Sequence, residues 1–78
     1  MTNELESFLK STFDLSDSEF SDTLTVDDIA NWDSLKHMEL VTGLERNYQV
    51  TLEMMDIVNM KSIPDIIKVL KDKNINLE

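Results

Sequence analysis

The stretch Asn31-Trp32-Asp33-Ser34-Leu35-Lys36-His37 contains the residues of this chain that are best suited to chemistry. Asp33 and Ser34 are residue types that begin helices, because their side chains accept hydrogen bonds from the first free backbone N–H groups. A serine hydroxyl at a helix start is exposed, and the helix dipole and free amides there favour an attached phosphate. The pattern therefore predicts that Ser34 is an attachment point and not a catalytic nucleophile.

Nucleophilic catalysis at Ser34 would need a base in contact with the hydroxyl and a third group that orients the base. His37 is the only histidine, three residues after Ser34, and helical periodicity places it towards the core. Because no third residue completes such a set, we expect His37 to be hydrogen-bonded or solvated at the mouth of the folded domain. We expect a non-catalytic protein.

A metal site is also not predicted. An EF-hand needs alternating oxygen ligands, a central glycine and a terminal glutamate. The acidic run Asp14-x-x-Asp17-x-Glu19 lacks both the glycine and the spacing. This leaves only weak, adventitious binding of divalent cations to the acidic surface.

The formal net charge of −9 over 78 residues limits the classes of partner. It argues against nucleic acids and anionic membranes, and it favours fast, salt-sensitive encounter with basic protein surfaces. The charge is concentrated before Ser34, since the interval between Lys10 and Lys36 holds seven acidic residues and no basic residue. The alternative is that the charge only keeps the protein soluble.

Length and composition predict one small domain, residues 1–78, without disulfides, because the chain has no cysteine. The acidic N-terminus does not resemble a signal peptide, and no apolar run is long enough for a membrane span. We therefore expect a cytoplasmic monomer. One glycine and one proline supply few tight turns, which favours an all-α fold.

Apolar periodicity predicts a small four-helix bundle with three longer helices, one short helix and a long loop between the first two. We place the helices at about residues 4–13, 34–48 and 52–58, and the last one after Ser62 as its N-cap, with Pro64 in the first turn. Asn3 and Glu6 have capping-box spacing for the first helix. The loop of residues 14–32 should pack over the core, with Trp32 as its anchor or, as the alternative, in contact with partners, and the tail of residues 74–78 should fray.

The second predicted helix carries two apolar stripes. The wider one is assigned to the core and comprises Leu40, Val41, Leu44 and Tyr48. Leu35 and Met38 lie on another face, which we interpret as a docking surface, the alternative being that the long loop covers them. Gly43 would allow close packing against a neighbour. In the short helix, Met54, Met55 and Ile57 are expected to pack in the core, the alternative being an adaptable inner wall that can part for a guest chain.

Asp33-Ser34-Leu35, followed by Glu39-Leu40-Val41 and Leu44-Glu45 on the same helix, resembles the signature of the acyl carrier proteins. Length, acidity, the long first loop and the capped last helix extend the resemblance over the whole chain. It implies that a phosphopantetheinyl transferase attaches 4′-phosphopantetheine from coenzyme A to Ser34. The thiol of that arm would carry acyl groups as thioesters, and Asp33 would help to position the transferase's metal and substrate.

The resemblance also implies a set of partner enzymes with basic docking surfaces, namely acyltransferases, acyl-ligases or ketosynthases. They would bind the second helix through Leu35, Met38, Glu39 and Glu45. The pathway implied is fatty-acid synthesis or a specialised acyl, polyketide or glycan pathway.

Three departures from the family pattern favour a specialised pathway at least as much as primary fatty-acid synthesis. Asn31-Trp32 stands where many fatty-acid carriers have Gly-Ala or Gly-Leu, Arg46 replaces an acidic residue, and Thr42 replaces a bulkier apolar one. Two alternatives stay open: an aminoacyl carrier for D-alanine or a peptide-synthetase residue, and an unmodified acidic helical adaptor. Peptidyl carriers tend to have Gly-His before the serine, so Asp33 favours the acyl type.

Overall fold

The computed structural model describes residues 1–77 and contains four helices, α1 (Asn3–Phe13), α2 (Ser34–Tyr48), α3 (Met54–Asn59) and α4 (Ile63–Asp72). Within residues 1–77 there is no strand, and the only extended pairing is an isolated bridge between Thr25 and Ser62. The predicted all-α bundle, with three longer helices, one short helix and a long first loop, is confirmed. Over the same residues, no helix is both long and apolar enough to cross a bilayer.

Helices α1 and α2 pack antiparallel. At one end the rings of Phe13 and Trp32 have centroids 4.7 Å apart, and midway Phe8 lies against Gly43. At the other end the buried Tyr48 hydroxyl lies beside Thr2 and Glu4, and burial raises the pKa of Tyr48. The start of α2 therefore lies at the same end of the bundle as the end of α1.

The core is formed by one apolar stripe from each of the three longer helices. Its buried members are Leu5, Leu9 and Phe13 of α1, Leu40, Val41 and Leu44 of α2, and Ile63, Ile66, Val69 and Leu70 of α4. Burying one such side chain contributes roughly 1.5–3 kcal/mol, so these stripes supply most of the stability. The predicted core stripe of α2 is confirmed, except that Tyr48 is only half-buried.

Helix α3 contributes no fully buried residue, and polar contacts hold it together with the packing of the partly buried Ile57 against the core. The Nζ of Lys73, after α4, lies 2.9 Å from Oδ2 of Asp56 in α3. This hydrogen bond raises the pKa of Lys73. The backbone N–H of Leu52 donates to Oε2 of Glu45 at 2.9 Å, which fixes the connection from α2 to α3. A helix held in this way can present its apolar side chains to solvent.

The long loop before α2 is packed down, as predicted. Ile29 and Trp32 are buried in it. The N–H of Val26 donates to the carbonyl of Lys61 at 2.9 Å, and the N–H of Ile63 donates to the carbonyl of Leu24 at 2.9 Å. These bonds tie the loop to the segment before α4, so the loop forms one wall of the region around the α2 start.

Two predicted helix starts were wrong by one or two residues. Thr2, not Asn3, caps α1, because its hydroxyl accepts from the N–H of Leu5 at 3.2 Å. Helix α3 begins at Met54 and not at residue 52, since Glu53 is the N-cap and donates its N–H to Asp56 at 3.0 Å. The predicted cap of α4 is confirmed, with the N–H of Asp65 donating to the Ser62 hydroxyl at 3.0 Å.

Two predictions about burial were also wrong. Met54 and Met55 were expected in the core but are 79% and 67% exposed, because their side chains on the short α3 face away from the bundle. The tail was expected to fray, but Leu77 is only 2% exposed. The N–H of Ile75 donates to the carbonyl of Leu70 at 3.0 Å, which turns the chain back towards the core. Glu78 lies outside the described residues.

The contact between Gly43 and Phe8 generates a prediction about stability. A Cβ at Gly43 would lie within van der Waals overlap of the Phe8 ring, which must then move. Overpacking destabilises the fold by about 1–3 kcal/mol, and the better helix propensity of alanine offsets about 1 kcal/mol of this loss. We expect Gly43→Ala to lower the free energy of unfolding in urea by about 1 kcal/mol. In a Phe8→Ala background the same substitution should be stabilising, and the same loss in both backgrounds would contradict the packing argument.

Candidate functional site

Ser34 is the first residue of α2, and Asp33 is its N-cap. Oδ1 of Asp33 accepts from the N–H of Lys36 at 2.9 Å, and its carbonyl accepts from the N–H of His37 at 2.8 Å. The N–H groups of Ser34 and Leu35 are therefore the ones left without a partner in the helix. The Ser34 side chain is exposed, and its hydroxyl makes no hydrogen bond within residues 1–77. The hydroxyl is thus free to be modified.

An open groove of about 540 Å³ begins beside Ser34. It lies between the start of α2, the end of α3 and the long loop. Its apolar lining comes from three separate parts of the chain: Val26, Trp32, Met38, Ile57, Val58 and Met60. Sequence reasoning missed this groove, because its lining residues come from positions 26–38 and 57–61, which lie nineteen or more residues apart along the chain, and no local pattern links them.

The polar lining residues of the groove are Asp33, Ser34, His37 and Lys61. Among the described residues, Lys61 is exposed and its ammonium makes no ion pair, whereas Lys36 pairs with Glu39 at 3.2 Å. The groove that the free hydroxyl lines is thus also lined by a cation and begins at a helix start, and both features favour a negatively charged group there. In the part of the chain that the structure describes, no cluster of three His, Asp or Glu side chains is placed to hold a metal ion.

His37 uses both of its ring nitrogens. Nδ1 accepts from the indole Nε1–H of Trp32 at 3.0 Å, and Nε2 lies 2.7 Å from the carbonyl oxygen of Ile57. Because a carbonyl can only accept, Nε2 carries the proton and the ring is the neutral tautomer. The expected hydrogen-bonded histidine at the mouth of the bundle is confirmed, and in this arrangement neither nitrogen is available to Ser34.

Trp32 is the anchor of the long loop, as predicted. Its side chain is 8% exposed, and its ring packs against Phe13 of α1. The same ring stacks with His37, with ring centroids 6.1 Å apart. The tryptophan therefore contacts both a core residue and a residue that lines the groove.

Three of the four residues expected to bind partners share one surface. Leu35 is 71% exposed and Met38 is 50% exposed, so the long loop does not cover them. With Glu39 they line a shallow hollow that also includes Thr42 and Arg46. Glu45 lies elsewhere: it is half-buried and accepts the N–H of Leu52, which gives it a structural contact within the chain.

Sequence reasoning missed the apolar face of α3. Met54, Met55 and Val58 are 79%, 67% and 54% exposed, and Val58 lines the groove across from Met38. The local sequence gave no reliable signal, because Met54 is one helical turn from both Ile57 and Val58, and only the structure shows that Ile57 packs against the core while Val58 is exposed. The exposed apolar surface therefore continues from α2 across the groove onto α3.

The cap at Asp33 generates a prediction that separates its structural role from its charge. Asp33→Ala removes the acceptor for the Lys36 N–H and should lower the free energy of unfolding by about 1 kcal/mol. Asp33→Asn keeps an oxygen acceptor and should lose less than half as much. Urea unfolding measures both, and equal losses in the two variants would show that the negative charge, and not the cap, is what stabilises α2.

The chain was compared with protein-family models, with curated proteins and with solved structures, and nothing matches it. The argument for a function therefore depends on the site itself. Its features are a free serine hydroxyl at a helix start, an apolar groove beside it and an exposed apolar surface on both sides of the groove.

Proposed function

We propose that the protein is an acyl carrier protein that bears 4′-phosphopantetheine on Ser34 and presents acyl thioesters to partner enzymes. The observation that carries the proposal is the exposed Ser34 hydroxyl, which has no hydrogen bond within residues 1–77 and opens directly onto an apolar groove. A swinging arm needs an unhindered hydroxyl for attachment. An acyl chain on that arm needs an apolar surface within reach.

The residues around Ser34 fit the arm. The free N–H groups of Ser34 and Leu35 and the ammonium of Lys61 suit the negative charge of a phosphodiester. When bound, the arm supplies a terminal thiol that holds the acyl group as a thioester. The chain itself has no cysteine, so any thioester chemistry depends on the arm. Ser34 needs no base within this chain, because the transferase brings the catalytic groups.

The protein's own role is to hold the attachment point still and to shelter the cargo. Asp33 caps α2, which keeps Ser34 at the first position of the helix. The apolar wall formed by Met38, Ile57, Val58 and Met60 covers an acyl chain and excludes water from it. The protein is a non-catalytic carrier in this proposal, and Asp33 also helps to position the transferase's metal and substrate.

Partner enzymes would bind the exposed surface beside the groove. Leu35 and Met38 supply apolar contacts, and Glu39 supplies a negative rim. Such a surface suits an apolar pocket with basic residues around it, as expected of acyltransferases, acyl-ligases or ketosynthases, and of the transferase. The exposed methionines of α3 extend this surface, and their flexibility suits several partners. Glu45 is left out because of its contact with Leu52.

The lining of the groove bears on the alternatives. An aminoacyl carrier would present a charged amine to a groove whose lining is mostly apolar. Burying an unpaired charge is costly, so the groove favours an acyl group over an amino acid. The adaptor alternative leaves the free hydroxyl of Ser34 without a role. The acyl cargo and its pathway, primary or specialised, stay open.

The first prediction concerns the attachment itself. Incubation with coenzyme A and a promiscuous phosphopantetheinyl transferase should add the mass of one phosphopantetheine to the intact protein. Ser34→Ala should abolish the gain and change the free energy of unfolding by less than about 0.5 kcal/mol, since the hydroxyl makes no hydrogen bond within residues 1–77.

The matched control is Ser11→Ala, which removes another exposed serine hydroxyl, on α1. This variant should gain the full mass. A gain that persists in folded Ser34→Ala would refute Ser34 as the site. No gain in the native chain with several transferases would favour the adaptor alternative.

A second prediction concerns the acidic rim. Glu39→Lys should slow the loading of Ser34 about fivefold at low salt, because it replaces attraction to a basic partner with repulsion. Glu4→Lys changes the net charge equally but lies at the opposite end of the bundle, near Tyr48, and should have a much smaller effect. The difference should shrink as salt shortens the Debye length. The rate of mass gain measures it, and identical rates for both variants at low salt would contradict a local docking role for Glu39.

A further inference from the structure

Trp32, His37 and the carbonyl of Ile57 form a continuous hydrogen-bond chain from the long loop through α2 to α3. His37 satisfies two groups that would otherwise have no partner. One is the indole N–H of a tryptophan that is 8% exposed. The other is a carbonyl in the last turn of α3, where helix carbonyls lack intrahelical partners. The chain of bonds therefore holds α2, α3 and the loop together at one place.

This hydrogen-bond chain joins the lining of the groove to the core. Trp32, His37 and Ile57 all line the groove, and the Trp32 ring also contacts Phe13, which is 1% exposed. Met60, also 1% exposed, is a further lining residue. A molecule that moves from the groove towards Phe13 past these residues must displace the tryptophan or separate His37 from Ile57.

Displacing these residues is unfavourable for an apolar group. An acyl chain offers no acceptor to the indole N–H and no donor to the Ile57 carbonyl. Both polar groups would then be buried without a partner, and such a loss is larger than the gain from one ordinary hydrogen bond. By contrast, an acyl chain that stays between Met38 and Val58 disturbs no hydrogen bond, because both side chains are apolar and partly exposed.

We propose that Trp32 and His37 are specificity-determining residues that limit the length of the acyl group sheltered by the groove. The inference rests on the proposed carrier function. Short acyl groups fit against the apolar walls in front of the hydrogen-bond chain. The distal part of a longer acyl group stays in solvent, since the hydrogen-bond chain closes the passage towards Phe13.

The test uses the full chain loaded by a promiscuous transferase with a series of acyl-coenzyme A donors, from acetyl through butyryl, hexanoyl and octanoyl to dodecanoyl and hexadecanoyl. Intact mass first confirms loading on Ser34. Thermal unfolding of each loaded form then measures sheltering, because a group that binds only the folded state raises the midpoint. The native chain should show a midpoint that rises over the shorter acyl groups and stops rising at an intermediate length.

Two variants should move this limit. His37→Ala removes both hydrogen bonds and opens the wall. Trp32→Phe removes the indole N–H and replaces the indole with a smaller ring. In each variant the midpoint, relative to its own unacylated form, should continue to rise for acyl groups beyond the native limit. Binding of the longest acyl group should strengthen about fivefold, the factor that one net hydrogen bond represents. Ile67→Ala is the matched control: it removes a partly buried apolar side chain that packs on the core but does not line the groove, and it should leave the limit unchanged.

A direct readout of the hydrogen-bond chain is available, because Trp32 is the only tryptophan. Its indole N–H gives a single ¹⁵N–¹H resonance, which should stop shifting in the native chain once the acyl group exceeds the native limit. A resonance that continues to shift with the longest acyl groups would show that they pass through the chain of bonds, and it would overturn the inference. So would a native midpoint that rises steadily to hexadecanoyl.

The outcomes distinguish the two proposals. No mass gain on Ser34 refutes the carrier function, and the length limit with it. Suppose that loading is normal and that the midpoint depends on acyl length in the same way in the native chain, in Trp32→Phe and in His37→Ala. This result refutes the length limit alone. If His37→Ala does not fold, His37→Leu keeps most of the volume without the hydrogen bonds, and together with Trp32→Phe it decides the question.

Discussion

The two hydrogen bonds of the His37 imidazole hold the site together. Helix α3 contributes no fully buried residue, so hydrophobic burial alone does not fix its position. The bond from His37 to the Ile57 carbonyl attaches α3 to α2, and the bond from Trp32 attaches the long loop to the same ring. These three segments are the walls of the groove. The shape of the groove therefore depends on one side chain that sits one helical turn from the proposed attachment site.

Charge and apolar surface are arranged differently around the site. Acidic residues dominate the chain, yet the groove itself is mostly apolar, and its mouth holds the exposed Lys61. In the proposed function, long-range attraction to a basic partner would come from the total charge, while contact at short range would involve the exposed Leu35, Met38 and α3 methionines. This separation suits a protein that meets several partners quickly and binds each of them briefly.

Much of the fold could be predicted from local patterns. The bounds of α2 and the caps at Asp33 and Ser62 follow from interactions across three residues, which a sequence shows directly. The burial of Leu40, Val41 and Leu44 followed from helical periodicity. Met54 and Met55 were misplaced, because apolar residues on a six-residue helix give no reliable period. Leu77 was misplaced because its burial depends on the chain turning back after α4, which no local pattern indicates.

The sequence by itself determined where a free hydroxyl, an N-cap and a charged helix face would lie, because each depends on residues within one helical turn. It also determined the excess of negative charge. Only the tertiary structure decided that Val26, Met38 and Val58 line one groove, and that Glu45 is engaged by Leu52. It alone decided that Trp32, His37 and Ile57 form one hydrogen-bond chain. The physical reason is the same in each case: these contacts join residues that are distant in sequence, and they arise only when the three longer helices bury their apolar stripes together.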